Sequence, residues 1–258
     1  MSKLKLTGAW DPTNISGLIM WHDADNPDNV INTTTSDTFA EVKDKSTNNN
    51  HLTQTTKVEQ PDVVTVGSRK FLDTNATTQR MWFADQTVLT SLNNMTMVFV
   101  VDAATTTIWM PYVIGYEQST GADQHYMLPM VRLDDWAGYS VFFNLYDSAS
   151  YPYNYIGSST DVRNTKFVAT LICTDSEYIF RINGVDSAAV VLAGANDGEC
   201  TASLHDTPDG MNLGQQYRSN VPNFVYAHFG DLMYYNTNLE ISECSKIENY
   251  LMTKHSIT

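Results

Sequence analysis

Three aspartates, Asp23, Asp25 and Asp28, stand together with Asn26 and Asn29 in one short stretch of the chain. They are hard oxygen donors of the kind Ca2+ prefers, so Ca2+ is the one metal the sequence suggests. Their spacing departs from the EF-hand loop, and Asx turns explain the same composition. Paired carboxylates also serve glycoside hydrolysis, whose retaining form needs two of them about 5 Å apart. Asp23 and Asp25 share a face if Trp21–Asp25 is extended, but no third carboxylate follows in register. Glu240 and Glu243 fall on a helical pattern, where solvation accounts for them. No residue is therefore assigned a catalytic role. His22, His51, His125, His205, His228 and His255 are scattered and suggest no transition-metal site. Cys173, Cys200 and Cys244 are odd in number and widely spaced, which fits small buried hydrophobes better than a disulfide framework.

Aromatic residues are the other candidates. Trp109, Trp136, Tyr151, Tyr153 and Tyr155 belong to a ring-rich stretch between Asp102 and Thr160. Pro152 and Asn154 argue against a central strand over Tyr151–Tyr155, so the three tyrosines are expected on a loop that displays their rings. Rings with a polar tip suit sugar faces and protein interfaces. Enrichment of aromatics at interfaces in general favours the second, with a homo-oligomer as one outcome.

The elements that must carry these residues are almost all strands. Met95–Val101 and Lys166–Cys173 are apolar, β-branched runs of strand length. Glu177–Ile182 and Val185–Val191 flank Asn183-Gly184, which supplies the two positive-φ residues of a tight hairpin turn. Further strands are expected at Gly17–His22, Thr38–Val42, Asp62–Val66, Arg80–Ala84, Ile108–Ile114, Tyr126–Val131, Tyr139–Tyr146, Met211–Gly214 and Tyr226–Tyr235. Ile241, Cys244, Ile247 and Leu251 recur at helical steps and predict one closing helix, which would cover an edge or end of the sheets. Thr237 and Glu240 have the spacing of a capping box for it. Many short strands with polar turns imply two antiparallel sheets packed face to face. The chain has 258 residues, of which about a fifth are Thr or Asn, a mix suited to strands and turns. Lys and Arg number 15 against 29 Asp and Glu, and a net charge of -14 argues against a nucleic-acid partner. No apolar window has the length of a signal peptide or a membrane span, so synthesis in a reducing cytoplasm without membrane insertion is expected.

Three segments resemble one family. Leu18-Ile19-Met20-Trp21-His22-Asp23-Ala24-Asp25 is similar to its opening motif, and Val42-Lys43-Asp44-Lys45-Ser46-Thr47-Asn48-Asn49-Asn50 to its second. Gly230–Asn236 followed by Ile247–His255 is similar to its closing strand and helix. The family is the laminin-G-like branch of the concanavalin A-like lectin/glucanase superfamily, in the form common in tailed-bacteriophage structural proteins. Val42, His22, Thr47, Asn49 and His255 depart from the usual residues at their positions. The resemblance implies an all-β, two-sheet antiparallel jelly-roll β-sandwich with one C-terminal helix, as a single domain over residues 15–258 after an N-terminal arm, 1–14. It also implies a non-enzymatic virion protein, a capsid decoration, head-fibre or tail-associated subunit that binds other capsid or tail proteins. The alternative it leaves open is a lectin-like module for host-surface glycans. Glycosidases of the superfamily carry a Glu-x-Asp-x-(x)-Glu run along one strand, which this chain lacks, and laminin-G-like domains often hold one Ca2+ at a rim.

Overall fold

Residues adjacent in a strand point to opposite faces, and this chain buries both. The computed structural model describes residues 10–34, 36–74, 79–83, 94–103, 114–117, 130–132, 141–146, 153–158, 160–162, 164–174, 178–186, 190–192, 210–213 and 228–258. The strands are β1 (Leu18–Asp23), β2 (Val30–Asn32), β3 (Thr38–Val42), β4 (Leu52–Thr53), β5 (Asp62–Val66), β6 (Arg69–Asp73), β7 (Met81–Phe83), β8 (Met95–Asp102) and β9 (Ile114–Glu117). They continue as β10 (Met130–Arg132), β11 (Val141–Tyr146), β12 (Tyr153–Ser158), β13 (Lys166–Cys173), β14 (Tyr178–Ile182), β15 (Val185–Asp186), β16 (Val190–Leu192), β17 (Gly210–Leu213) and β18 (His228–Tyr235). One helix, α1 (Ile241–His255), follows. The fold is an all-β antiparallel sandwich: a large sheet ordered β15-β14-β13-β8-β18-β6-β5-β3-β4-β7-β17-β9, and a smaller one ordered β10-β11-β12-β16.

The middle of the large sheet separates two cores. From β8, Met97, Phe99 and Val101 join Phe39, Phe167, Leu171 and Leu232 on the inner side. Val98 and Val100, from the alternate positions, join Val168, Ile172, Met233 and Tyr235 beneath Cys244, Ile247 and Leu251 of α1. Each such side chain contributes about 1.5–3 kcal/mol on full burial, which explains why the strand reads as an unbroken apolar run. The helix therefore lies on the outer face of the sheet, and the expected placement over an edge or end is corrected. Its cap differs too, because the Glu243 carboxylate, and not a Thr237 pairing, meets the Glu240 backbone N–H at 3.2 Å.

Two further expectations change. Asn183 and Gly184 do have φ of 50° and 78°, and Ile182 pairs with Val185. The returning strand stops at Asp186, however, and Val190–Leu192 pairs with β12 in the smaller sheet. Nor is Tyr151–Tyr155 wholly a loop. Tyr153 and Tyr155 start β12, which is hydrogen-bonded to β11 on one side and β16 on the other. The described residues of β12 run from Tyr153, the residue after Pro152 in sequence.

One irregularity in β18 shapes the outer face. Phe229 pairs with Val101 and Leu232 with Phe99, so Gly230 and Asp231 together face a single residue of β8. This is a β-bulge, and it re-aims the side chain that follows. Beyond it β18 leaves β6 and pairs with β1, down to Asp231 against Asp23. The bulge leaves little room for a side chain: a Cβ on Gly230 would lie 3.0 Å from both His255 Cε1 and Phe71 Cε1, so these rings would have to shift.

Candidate functional site

The three family-like segments, far apart in the chain, meet beside α1. Trp21 is buried in β1, and its indole N–H donates to Asp231 Oδ1 at 2.7 Å. Asp231, also buried, accepts from Lys254 Nζ at 2.8 Å and from His255 Nε2–H at 2.5 Å. Lys254 reaches Asp23 Oδ1 at 2.7 Å, and Lys45 reaches Asp23 Oδ2 at 3.0 Å. The Lys45 ammonium also sits 3.7 Å above the Trp21 ring, a cation–π contact. Next to this chain Arg69 Nη1 donates to Asp25 Oδ2 at 2.8 Å, and Arg69 Nε donates to the Lys254 carbonyl at 3.2 Å.

Electrostatics follow from that geometry. Burial, the largest influence on Asp231, raises its pKa, but Lys254 and His255 together outweigh it and hold the carboxyl at about 2. Burial likewise raises Asp25, and the Arg69 hydrogen bond with the Lys70 backbone N–H reverses it to a net lowering. Lys254 is lowered by burial and raised further by Asp231 and Asp23, so its net shift is upward. Asp231 and Asp25 are thus held as carboxylates and Lys254 as an ammonium at neutral pH.

The second motif supplies scaffolding. Asp44 accepts from the backbone N–H groups of Trp21, Ser46 and Asn50 at 2.8, 2.9 and 2.9 Å. Ser46 Oγ, Asn48 Nδ2 and Asn50 Nδ2 all donate to the Ile19 carbonyl. The residue with positive φ in this loop is Asn49, at 60°, and not Thr47, so the threonine in place of glycine is tolerated. His22 faces the same loop, with Nε2–H donating to the Asn50 carbonyl at 2.5 Å, and burial lowers its pKa to about 4. His51 Nδ1 accepts the Asp44 N–H at 2.9 Å.

Above the network lies a wide cleft of about 790 Å³. Its floor and one wall are Asp23, Asp25, Pro27, Lys45 and Arg69, and Trp10 closes another side. Lys246, Asn249, Tyr250, Thr253 and Lys254, one stripe of α1 at three- and four-residue steps, form the facing wall. Trp10 and Tyr250 meet edge-to-face at 5.8 Å, and Tyr250 meets Trp21 the same way at 6.1 Å. Both Trp10 and Tyr250 are only half-buried. Trp10 is held near by its neighbours, since the Tyr235 hydroxyl donates to the Pro12 carbonyl at 3.3 Å.

A Ca2+ site at the three aspartates does not fit this arrangement. The oxygens of Asp23 and Asp25 are occupied by lysine, arginine and backbone N–H groups, and Asp28 is exposed. Asp25 N–H donates to Asp23 Oδ1 and Asp28 N–H to Asn26 Oδ1, which makes the stretch a run of Asx turns. Among the described residues no cluster of His, Cys, Asp and Glu could hold a metal ion, and no helix is long and apolar enough to cross a membrane. Cys173 and Cys244 are buried thiols outside any disulfide among the described residues, and burial pushes the Cys244 thiol up to about 12; Cys200 lies outside the described residues.

Of the aromatic candidates, Trp109, Trp136 and Tyr151 lie outside the described residues. Tyr153 and Tyr155 lie on β12. The cleft residues Trp10, Lys45, Arg69, Tyr250 and Lys254 lacked a local signal of function. Lys45, Tyr250 and Lys254 belong to the three family-like motifs, which read as structural, and Trp10 and Arg69 lie outside them.

No family model and no curated protein matches the sequence. Solved structures match in shape. Trypanosoma rangeli sialidase in complex with the inhibitor DANA superposes with a TM-score of 0.58 and 12% identity, over 95% of this chain and 35% of the sialidase. The ligand-binding domain of botulinum neurotoxin serotype D, in complex with N-acetylneuraminic acid, gives 0.59 and 11% over 92% of this chain and 51% of that one. Domain 4 of AbnA, an extracellular arabinanase of Geobacillus stearothermophilus, in complex with arabinotriose, gives 0.57 and 14% over 90% and 98%. This chain spans about a third of the sialidase and about half of the neurotoxin domain. At these identities the likeness is one of fold: the chain shares its β-sandwich with domains two of which hold a saccharide.

Proposed function

We propose that this chain is a non-catalytic carbohydrate-binding module and that its saccharide lies in the cleft against Trp10 and Tyr250. The observation that carries this is the pairing of two half-exposed aromatic rings with a wall of polar side chains in a cleft of ligand size. Rings offer an apolar face to sugar C–H groups, and fixed polar groups read the hydroxyls. The domain of AbnA solved with arabinotriose, matched over nearly its whole length, supports a binding role.

Hydrolysis is disfavoured by the charges. A general acid must keep its proton near neutral pH. Asp25 and Asp231 are both shifted downward, the wrong direction for that role. Assembly into a virion as a capsid or tail subunit rests on the motif resemblance alone.

A glycan array probed with the whole chain tests the proposal. Binding is expected, and Tyr250→Ala or Trp10→Ala should abolish it while far-UV circular dichroism is unchanged. If Tyr153→Ala abolishes it instead, the saccharide belongs to the smaller sheet. Silence across the array would end the reading.

A further inference from the structure

We infer that the saccharide taken by this cleft is acidic, a sugar ring bearing a carboxylate, with the anion read by Lys246. The inference rests on the proposed carbohydrate binding and specifies its chemistry.

The argument is a matching of charges. Three carboxylates, Asp23, Asp25 and Asp231, belong to the cleft and the network behind it. Each already has its cation: Lys45 and Lys254 on Asp23, Lys254 on Asp231, and Arg69 on Asp25. Lys246 is left over. It is exposed on the helical wall, and among the described residues its ammonium has no hydrogen-bond or ion-pair partner. Arg69 uses Nε and Nη1 inward, which leaves Nη2 free on a side chain that is 40% exposed.

The charged groups still open to a ligand are therefore donors. A cationic ligand would find every carboxylate of the cleft occupied. A neutral sugar would meet the rings but leave the Lys246 charge unanswered. A carboxylate on the sugar supplies an acceptor for the leftover ammonium, and ammonium groups are usual partners of such an anion.

Titration calorimetry on the full chain with two matched pairs tests this. One pair is tetragalacturonate and its methyl ester, and the other is 3′-sialyllactose and lactose. The two pairs separate a uronic from a sialic source of the carboxylate. The acidic member of one pair is expected to bind about three- to fivefold more tightly than its neutral partner, the scale of one exposed ion pair with good geometry. Lys246→Gln, an exposed change that leaves the fold alone, should erase most of that preference, and Lys246→Glu should invert it. Tyr250→Ala should weaken acidic and neutral ligands alike. Equal binding within each pair would overturn the inference while leaving carbohydrate binding intact. A preference for acid that survives Lys246→Glu would also overturn it, since the anion would then sit elsewhere. No binding by any of the four, together with a silent array, would remove the underlying proposal as well.

Discussion

Two charge assemblies hold α1 to the sheet, and they differ in what surrounds them. Midway along the helix Glu248, 1% exposed, receives Arg181 through Nε at 2.9 Å and Nη2 at 3.1 Å. Arg181 is itself 4% exposed and is satisfied further by Asp186 and by the carbonyl of Gly184. At the last turn Lys254 joins Asp231 and Asp23 under a cleft open to solvent. The chemistry is the same in both, but only the second has free donors and rings within reach. A sealed ion pair clamps the hairpin β14–β15 to the helix, whereas an open network can present groups to a ligand. Ionic pairing alone therefore says little about function, and access decides.

The largest effect is expected where the pair is sealed. Glu248→Ala leaves Arg181 buried beside a lost partner and should cost about 3–5 kcal/mol in urea unfolding. Replacing both members, as Arg181→Met with Glu248→Leu, should be near neutral, and neither variant should alter saccharide binding. If the double variant is as unstable as the single, the pair is more than a mutual neutralisation.

Acid sharpens the contrast at the other end. The Asp231 carboxyl titrates at about 2 in the folded chain against an ordinary 3.8. Its contribution is complete above the unfolded value and is lost as pH falls through the folded one, a difference of about 2 kcal/mol. Wild type should thus lose stability between pH 4 and 2, and Asp231→Asn should lack that step. A variant with an unchanged acid limb would show that other carboxylates dominate.

Gly230→Ala presses on His255 and Phe71 at 3.0 Å and should cost about 1–3 kcal/mol by overpacking. It should also weaken saccharide binding, because it displaces the turn that carries Lys254. The smallest effect belongs to Lys45→Met, which removes one partly exposed cation from the Trp21 face. A loss of about 0.5–1 kcal/mol is expected in thermal melts.

Strands with strong local pattern were legible from sequence. Thr38–Val42, Asp62–Val66 and Lys166–Cys173 occupy the expected residues, and the Asn183-Gly184 turn has its two positive φ values. Alternation and turn chemistry are properties of neighbours, so a window of sequence contains them. Arg69–Asp73 and Tyr153–Ser158 were missed, since their polar or proline-flanked ends conceal short ladders that only pairing partners stabilise. The short pieces Val30–Asn32 and Leu52–Thr53 were missed for the same reason.

The sequence by itself determined that this protein is an antiparallel β structure closed by one amphipathic helix, because those periodicities are written within a few residues. Tertiary structure alone decided which face the helix covers, and that Asp23 and Asp25 face lysine and arginine in place of a metal. It also joined Trp21 to Asp231 across 210 positions of chain. The physical reason is that a charge or ring acquires its role from its partners and its exposure, and both are created only when distant segments pack.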